Sequence, residues 1–251
     1  MSRSTNGRNT PTQDRIIADA LIEDIVEWRI PPGTWLRERE IAKRFDVSHA
    51  PVREAFRHVA HIGFIQVVPW RGAHVIELER HASMQVLELW KANFGVVSRH
   101  AATAMSKAEA DELLAMLRGF TAFVQSTSNT FAQLQKGIEI GQFISGHSGA
   151  HLAADIMARI TLFARWQHHV VRDPDFTGDA IHPGVRSAEL YEALGLRIAA
   201  RDQDGAQEAA HALISFHQSR YGMLLDSYFA ERRNDEGSPG SCASPHKSAS
   251  G

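Results

Sequence analysis

The sequence predicts a mainly α-helical protein: an N-terminal winged helix-turn-helix with a small β-hairpin wing, then an all-α antiparallel bundle of about six helices. Three observations predict it. Apolar residues recur at helical spacing from Ile16 to Trp28 and again from Ile41 to Ile62; two short β-branched runs flank Pro69-Trp70-Arg71-Gly72; and beyond Arg80 only helical periodicity remains. The chain has 251 residues, 43% of them hydrophobic, enough for two cores.

In the first helix Ile16, Ile17, Ala20, Leu21, Ile25 and Trp28 form one apolar stripe, and Ile30-Pro31-Pro32-Gly33 ends it with a turn. A second helix is predicted from about Arg37 to Phe45. Asp46-Val47-Ser48 then turns the chain into a third helix that runs to about Ile62, with Ser48 as its N-cap and Pro51 in its first turn, where no internal partner for an N–H exists. Phe64 to Val68 and Ala73 to Leu78 read as the strands of the wing. Helices follow near 82–104, 106–125, 130–146, 149–171, 185–201 and 204–229. Ser106 with Glu109 forms a capping box, and Asp204 with Gln207 predicts a similar start for the last helix. Asp173 to Gly184 reads as a long loop. The expected division is a polar arm over 1–11, a head over 12–78, a helical domain over 79–230 and a Ser/Gly/Pro-rich tail over 231–251.

Composition excludes several classes. No apolar run approaches the roughly 18 residues of a membrane span, and Met1 to Thr10 is polar with no apolar stretch before a cleavage site, so a cytoplasmic chain without a membrane partner is expected. The single cysteine, Cys242, rules out an internal disulfide. There is no Gly-rich phosphate loop, nucleophile elbow or His-Glu-x-x-His, so an enzyme is not expected. With a formal net charge of −2, attraction to nucleic acid needs a local basic surface.

Such a surface is present. Arg37, Arg39, Lys43, Arg44, Arg53, Arg57 and Arg71 fall within the second helix, the third helix and the wing, opposed there by Glu38, Glu40, Asp46 and Glu54. Guanidinium groups displace counterions from phosphates. Arg53 lies within about one and a half turns of the start of the third helix, where a recognition helix meets base edges, and its fork matches two acceptors of a guanine. Ile41, Val52, Ala55, Phe56, Val59 and Ile62 are placed to face inward while Arg53 and Arg57 face out. The alternative is an ordinary solvated helix face.

The run from Leu36 to Val59, with its Val47-Ser48-His49-Ala50-Pro51-Val52-Arg53-Glu54-Ala55 core, then Gly63-Phe64-Ile65 and Arg71-Gly72, resembles the GntR family of bacterial regulators over residues 15 to 78. The resemblance implies operator contacts at Arg39, Ser48, Arg53 and the wing around Arg71-Gly72. Where the family has Arg and Thr after the serine, this chain has His49 and Ala50, which alters base preference at that end of the helix; His49 keeps a hydrogen-bond donor.

The helical half is similar to the FCD effector domain of the FadR-type branch, through Ser148-Gly149 and Arg201-Asp202 leading into Ala206 and Ala209. That resemblance implies a metal held by one Asp and three His, at positions occupied here by Gly137, Gly141, Tyr191 and Leu213. Glycine and leucine offer no side-chain donor and neutral tyrosine is a poor ligand, so no metal cofactor is expected. Trp90 and Phe94 stand one turn apart where relatives carry Arg and Glu. The implied pocket is apolar and aromatic-lined, for an acid whose carboxylate meets Arg99, Arg165, Arg197 or a histidine; the alternative is a plain packed core. His147 with His151, and His211 with His217, are the remaining pairs at which a relocated metal is weighed, while adjacent His168 and His169 cannot share a helix face.

The expected function is that of a homodimeric regulator on double-stranded operator DNA, a repressor released by a small apolar or aromatic organic acid from a catabolic pathway. A DNA-binding dimeric scaffold without an effector and a metal-dependent sensor of a small carboxylic acid are the alternatives.

Overall fold

The computed structural model describes residues 11–172 and 183–236. The arm over 1–10, most of the expected loop, and the tail beyond 236 with Cys242 lie outside the described residues. In the head, α1 is Gln13–Val26, β1 Trp35–Leu36, α2 Glu38–Phe45, α3 His49–Ile62, β2 Ile65–Val68 and β3 Gly72–Val75. Behind it come α4 Arg80–Ala104, α5 Lys107–Ser126, α6 Thr130–Gly146, α7 His151–Gln167 with a 3-10 turn His168–Arg172, α8 Pro183–Ala199 and α9 Gln203–Glu236. This is the winged helix-turn-helix with an all-helical second half that the periodicity predicts.

In the head, Leu21, Ile25, Val52, Val59 and Phe64 have no solvent exposure. They pack α1 onto α3. Ile62, expected inward, is only partly buried. Asp46 takes a left-handed conformation at the end of α2, and Gly63 does the same at the end of α3, so both helices stop where the turn residues stand. The wing holds one strand more than expected: Trp35–Leu36 pairs antiparallel with β3, giving the order β1-β3-β2. Gly72 is required there, because its φ is +105° and a Cβ would strike the carbonyl oxygen of Leu36.

In the bundle α4 packs against α9, α7, α8 and α6, and α5 against α8 and α6. The capping box of α5 is present: Glu109 N donates to Ser106 Oγ at 3.2 Å, and Ser106 N to Glu109 Oε2 at 2.6 Å. The last helix starts differently from the expectation. Asp202, not Asp204, caps it, accepting from Gly205 N at 2.9 Å and from Arg197 Nη1 at 2.8 Å, while Asp204 pairs with Arg99 across the surface. Continuing to Glu236, α9 passes the boundary expected at 230.

Asp24 ties α1 to α2. It is 6% exposed and receives Arg29 Nε at 2.6 Å and Arg44 Nη2 at 2.6 Å. Burial raises the pKa of this carboxyl, but the hydrogen bonds and charges of the two guanidinium groups outweigh it and hold the value below the ordinary 3.8. A depressed carboxyl stabilises the fold above the unfolded value and loses that contribution as pH falls through the folded one. Asp24→Asn is therefore expected to lose about 2 kcal/mol at neutral pH. In urea titrations across pH, the gap between variant and wild type should narrow below the ordinary carboxyl value; a gap independent of pH would remove the carboxylate from this role.

Candidate functional site

The outer face of α3 is built by the packing of its inner one. With Val52, Ala55, Phe56 and Val59 in the core, the helix turns His49, Ala50, Arg53, Glu54, Arg57 and His58 to solvent. The Arg53 side chain is 60% exposed and donates through Nε to Glu38 Oε2 at 2.8 Å. Glu38, in the first turn of α2, also lies 3.8 Å from His49 Nδ1. The carboxylate thus holds Arg53 through Nε and has His49 nearby, and the Nη1/Nη2 edge of Arg53 makes no part of that bond. An exposed pair of this kind is worth about 0–1 kcal/mol. Ser48 has the extended backbone of an N-cap, yet its hydroxyl makes no capping bond.

The other basic residues divide. Arg39 is exposed, Arg37 lies 4.0 Å from Glu40, and Arg57 pairs with Glu54 one turn back. Arg71 sits over the Trp35 ring at 5.9 Å, and Trp35 leans on His74 at 4.9 Å, so the wing carries an aromatic and cationic ridge. Trp70, in the turn of the wing, is fully exposed with φ +65°. Arg44, expected in the DNA set, has its guanidinium on the buried carboxylate of Asp24, which joins α2 to α1. Glu38 was also missed. The partner it orients stands 15 residues away, and only the fold brings the two together.

In the bundle most of the expected effector residues are buried, and two pairs of them meet. Tyr191 is 5% exposed, its hydroxyl donates to the Gly137 carbonyl at 2.8 Å, and its ring meets Phe120 edge-on at 5.5 Å. Phe94 is 1% exposed and faces Gly141, where an added Cβ would lie 3.8 Å from its ring. Leu213 is fully buried and Trp90 nearly so, the latter 6.4 Å from the His168 ring. The expected opening at Gly137 is thus taken by the Tyr191 phenol, because a side chain absent on one helix admits a large one from its neighbour. Arg165 is not beside these pairs. It lies at the head, donating to Glu23 at 3.2 Å and Glu27 at 2.8 Å on α1. Arg99 and Arg197 are engaged at the surface with Asp204 and Asp202.

The metal implied by the helical resemblance does not fit these residues. Two of its positions have no side-chain donor, Leu213 has none either, and burial pushes the Tyr191 phenol well above its ordinary range, against the ionisation a metal would need. The weighed histidine pairs do not converge. His147 follows α6, with Nδ1 2.8 Å from the Phe143 carbonyl, and His151 starts α7 beyond the left-handed Gly149. His211 packs on Gly95, whereas His217 Nε2 lies 3.1 Å from Ser187 Oγ. Burial, first of all, lowers His168 to about 3 and His217 to about 4, so both are neutral in the interior. Among the described residues no three of His, Cys, Asp or Glu gather closely enough to hold a metal ion, and no helix is long and apolar enough to cross a membrane.

A small three-stranded wing behind an arginine-bearing third helix has the architecture of a winged helix-turn-helix. Residues 13–75 match the family of bacterial regulatory proteins described as the gntR family. The chain is 35% identical over 113 residues to the uncharacterized HTH-type transcriptional regulator YdfH of Escherichia coli O6:H1, covering 45% of this chain and 50% of that protein. To the HTH-type transcriptional repressor RspR of Escherichia coli K12 it is 37% identical over 105 residues, 41% of this chain and 46% of that one. The chain spans about half the length of the curated relatives it matches. Among solved structures, Escherichia coli McbR/YncC aligns with a TM-score of 0.67 at 14% identity, over 87% of this chain and 100% of that one. A putative transcriptional regulator GntR from Rhodococcus sp. RHA1 aligns at 0.60 and 20%, over the same shares. At these identities the structural likeness shows the fold. Over residues 13–75 the chain is similar to the helix-turn-helix of the gntR family.

Proposed function

We propose that the protein is a DNA-binding transcription regulator, acting as a homodimer whose two recognition helices enter successive major grooves of a near-palindromic operator. The observation that supports it most is the exposed start of α3, where Glu38 holds Arg53 at 2.8 Å with His49 3.8 Å away. Arg53 reads a base; Arg39, Arg57 and the Ser48 hydroxyl meet phosphates; Arg71 and Gly72 carry the wing to the duplex. RspR is a transcriptional repressor, and repression is proposed here on that likeness. The bundle is proposed to make the protein responsive to a small apolar or aromatic organic acid, with Trp90, Phe94, Tyr191 and Leu213 as its interior lining beside Gly137 and Gly141. Release from DNA requires the acid to prefer the off-DNA state.

The test is selection of bound fragments from the source genome, followed by footprinting of the enriched site. A near-palindromic footprint with its halves about 34 Å apart is expected, one helical turn of DNA. Failure to enrich any sequence over random DNA would overturn the reading. A scaffold without an effector is favoured by one observation, the Tyr191 phenol filling the space at Gly137. It predicts operator binding that no apolar or aromatic acid alters.

A further inference from the structure

Where the head joins the bundle, a cleft of about 420 Å³ opens between α4, α7 and the segment after β3. That volume lies within the roughly 300–1,000 Å³ of small-molecule sites. Its walls are apolar, with Val86 and Leu89 on α4 and Ile156, Ile160 and Phe163 on α7. Leu89 is 60% exposed and Ile156 44%, large apolar side chains left to solvent at the cleft.

Two residues with buried donors border the cleft. Trp166 and Gln167 both line the cleft, are 4% and 1% exposed, and neither Trp166 Nε1 nor Gln167 Nε2 has a hydrogen-bond partner. An unpaired buried donor is destabilising until an acceptor meets it. The missing partner of an indole N–H is an acceptor, since that group can only donate.

Arg159 also lines the cleft, and its Nη2 donates to the carbonyls of His61 at 3.0 Å and Ile62 at 3.3 Å, the last residues of α3. Helix-terminal carbonyls lack internal partners, and a cation there is favourable. One guanidinium thus touches both the cleft and the recognition helix. Seven residues of helix separate Arg159 from Trp166, a rise of about 10 Å. Glu77 and Glu79 border the cleft on the side of the segment after β3, so an anion is favoured only beside Arg159.

We propose that this cleft binds a rod-shaped aromatic carboxylic acid. Its ring lies between α4 and α7, its carboxylate on Arg159, and a second oxygen about 10 Å away accepts from Trp166 and Gln167. Occupancy draws Arg159 off the carbonyl end of α3 and loosens that end of the recognition helix. The site is distinct from the interior around Trp90 and Phe94. Only its effect on DNA rests on the function proposed above; binding and loosening do not.

The test uses calorimetry on the full chain with para-hydroxycinnamate, cinnamate and methyl para-hydroxycinnamate, and hydrogen exchange over residues 56–64. One para-hydroxycinnamate per chain is expected, with about tenfold weaker binding of cinnamate and of the ester, the equivalent of one lost polar contact each. Leu89→Trp, on an exposed side chain, should abolish binding, and Ile156→Trp should do so from the opposite wall should the first variant fail to fold. Arg159→Gln should weaken the acid but not the ester, and exchange at the end of α3 should rise with the acid in wild type only. Undiminished binding in both tryptophan variants places the acid elsewhere and overturns the site. A sedimentation mass that falls in those variants, with no acid bound by wild type, makes the cleft an interface between copies and overturns it equally. Binding as described with no operator found would leave the cleft standing and remove the regulator reading.

Discussion

Arg53→Ala is expected to erase the preference of the protein for its operator over scrambled DNA by about 10- to 100-fold, the discrimination of one bidentate contact at about 1–3 kcal/mol. Its side chain is 60% exposed and contributes nothing to the core, so thermal unfolding should move little. Competition gel shifts at fixed salt measure the ratio. Arg44→Ala supplies the contrast. Because its guanidinium is on Asp24, 6% exposed, its loss should lower stability while leaving the ratio between operator and scrambled DNA unchanged. Glu38→Gln isolates the orienting carboxylate: it keeps Arg53 but weakens the bond that holds it, so a smaller loss of selectivity is expected with affinity for scrambled DNA retained. A footprint unchanged by Arg53→Ala would mean that α3 does not read bases as assigned.

The contrast between Arg53 and Arg44 also shows where reading from sequence stops. Both are arginines in a basic run, and spacing places both on helices of the head. That one faces out and the other clamps a buried carboxylate depends on how α1 crosses α2, which no local pattern encodes. Local signals did carry through. Asp46 and Gly63 end their helices in the left-handed conformation, Gly72 sits where a side chain would strike β1, and Ser106 with Glu109 forms its box. The strand Trp35–Leu36 was invisible because two residues cannot display a period of two. At the start of α9 the sequence offers two aspartates. Asp202 took the cap because it also meets Arg197 from the preceding helix, and Asp204 was left to pair with Arg99. In the bundle, Gly137 and Gly141 announce missing side chains but not what fills the space. Tyr191 comes from another helix altogether.

Phe64→Ala is expected to cost about 3–5 kcal/mol, the range for removing a fully buried phenylalanine. Phe64 has no exposure, and it belongs to both halves of the molecule: its ring stacks on Phe163 at 4.4 Å and meets Trp166 edge-on at 6.0 Å, both on α7. The loss should therefore be twofold. The head loses a core ring, and α7 loses the contact through which the end of α3 is held alongside the Arg159 bonds. In guanidinium titrations followed by hydrogen exchange, head peptides should open at lower denaturant than bundle peptides, where wild type opens both together. Phe163→Ala removes the same stack from the bundle side at smaller expense, because Phe163 is only partly buried. A double-mutant cycle between them then separates core from junction. Aromatic pairs contribute about 0.5–1.5 kcal/mol beyond their buried area, so a coupling energy near 1 kcal/mol is expected. A coupling within about 0.3 kcal/mol of zero would mean that the two rings act independently. The head and bundle would then be joined chiefly by the polar ties of Arg159 and Arg165, and Phe64→Ala would destabilise the head without separating its opening from that of the bundle.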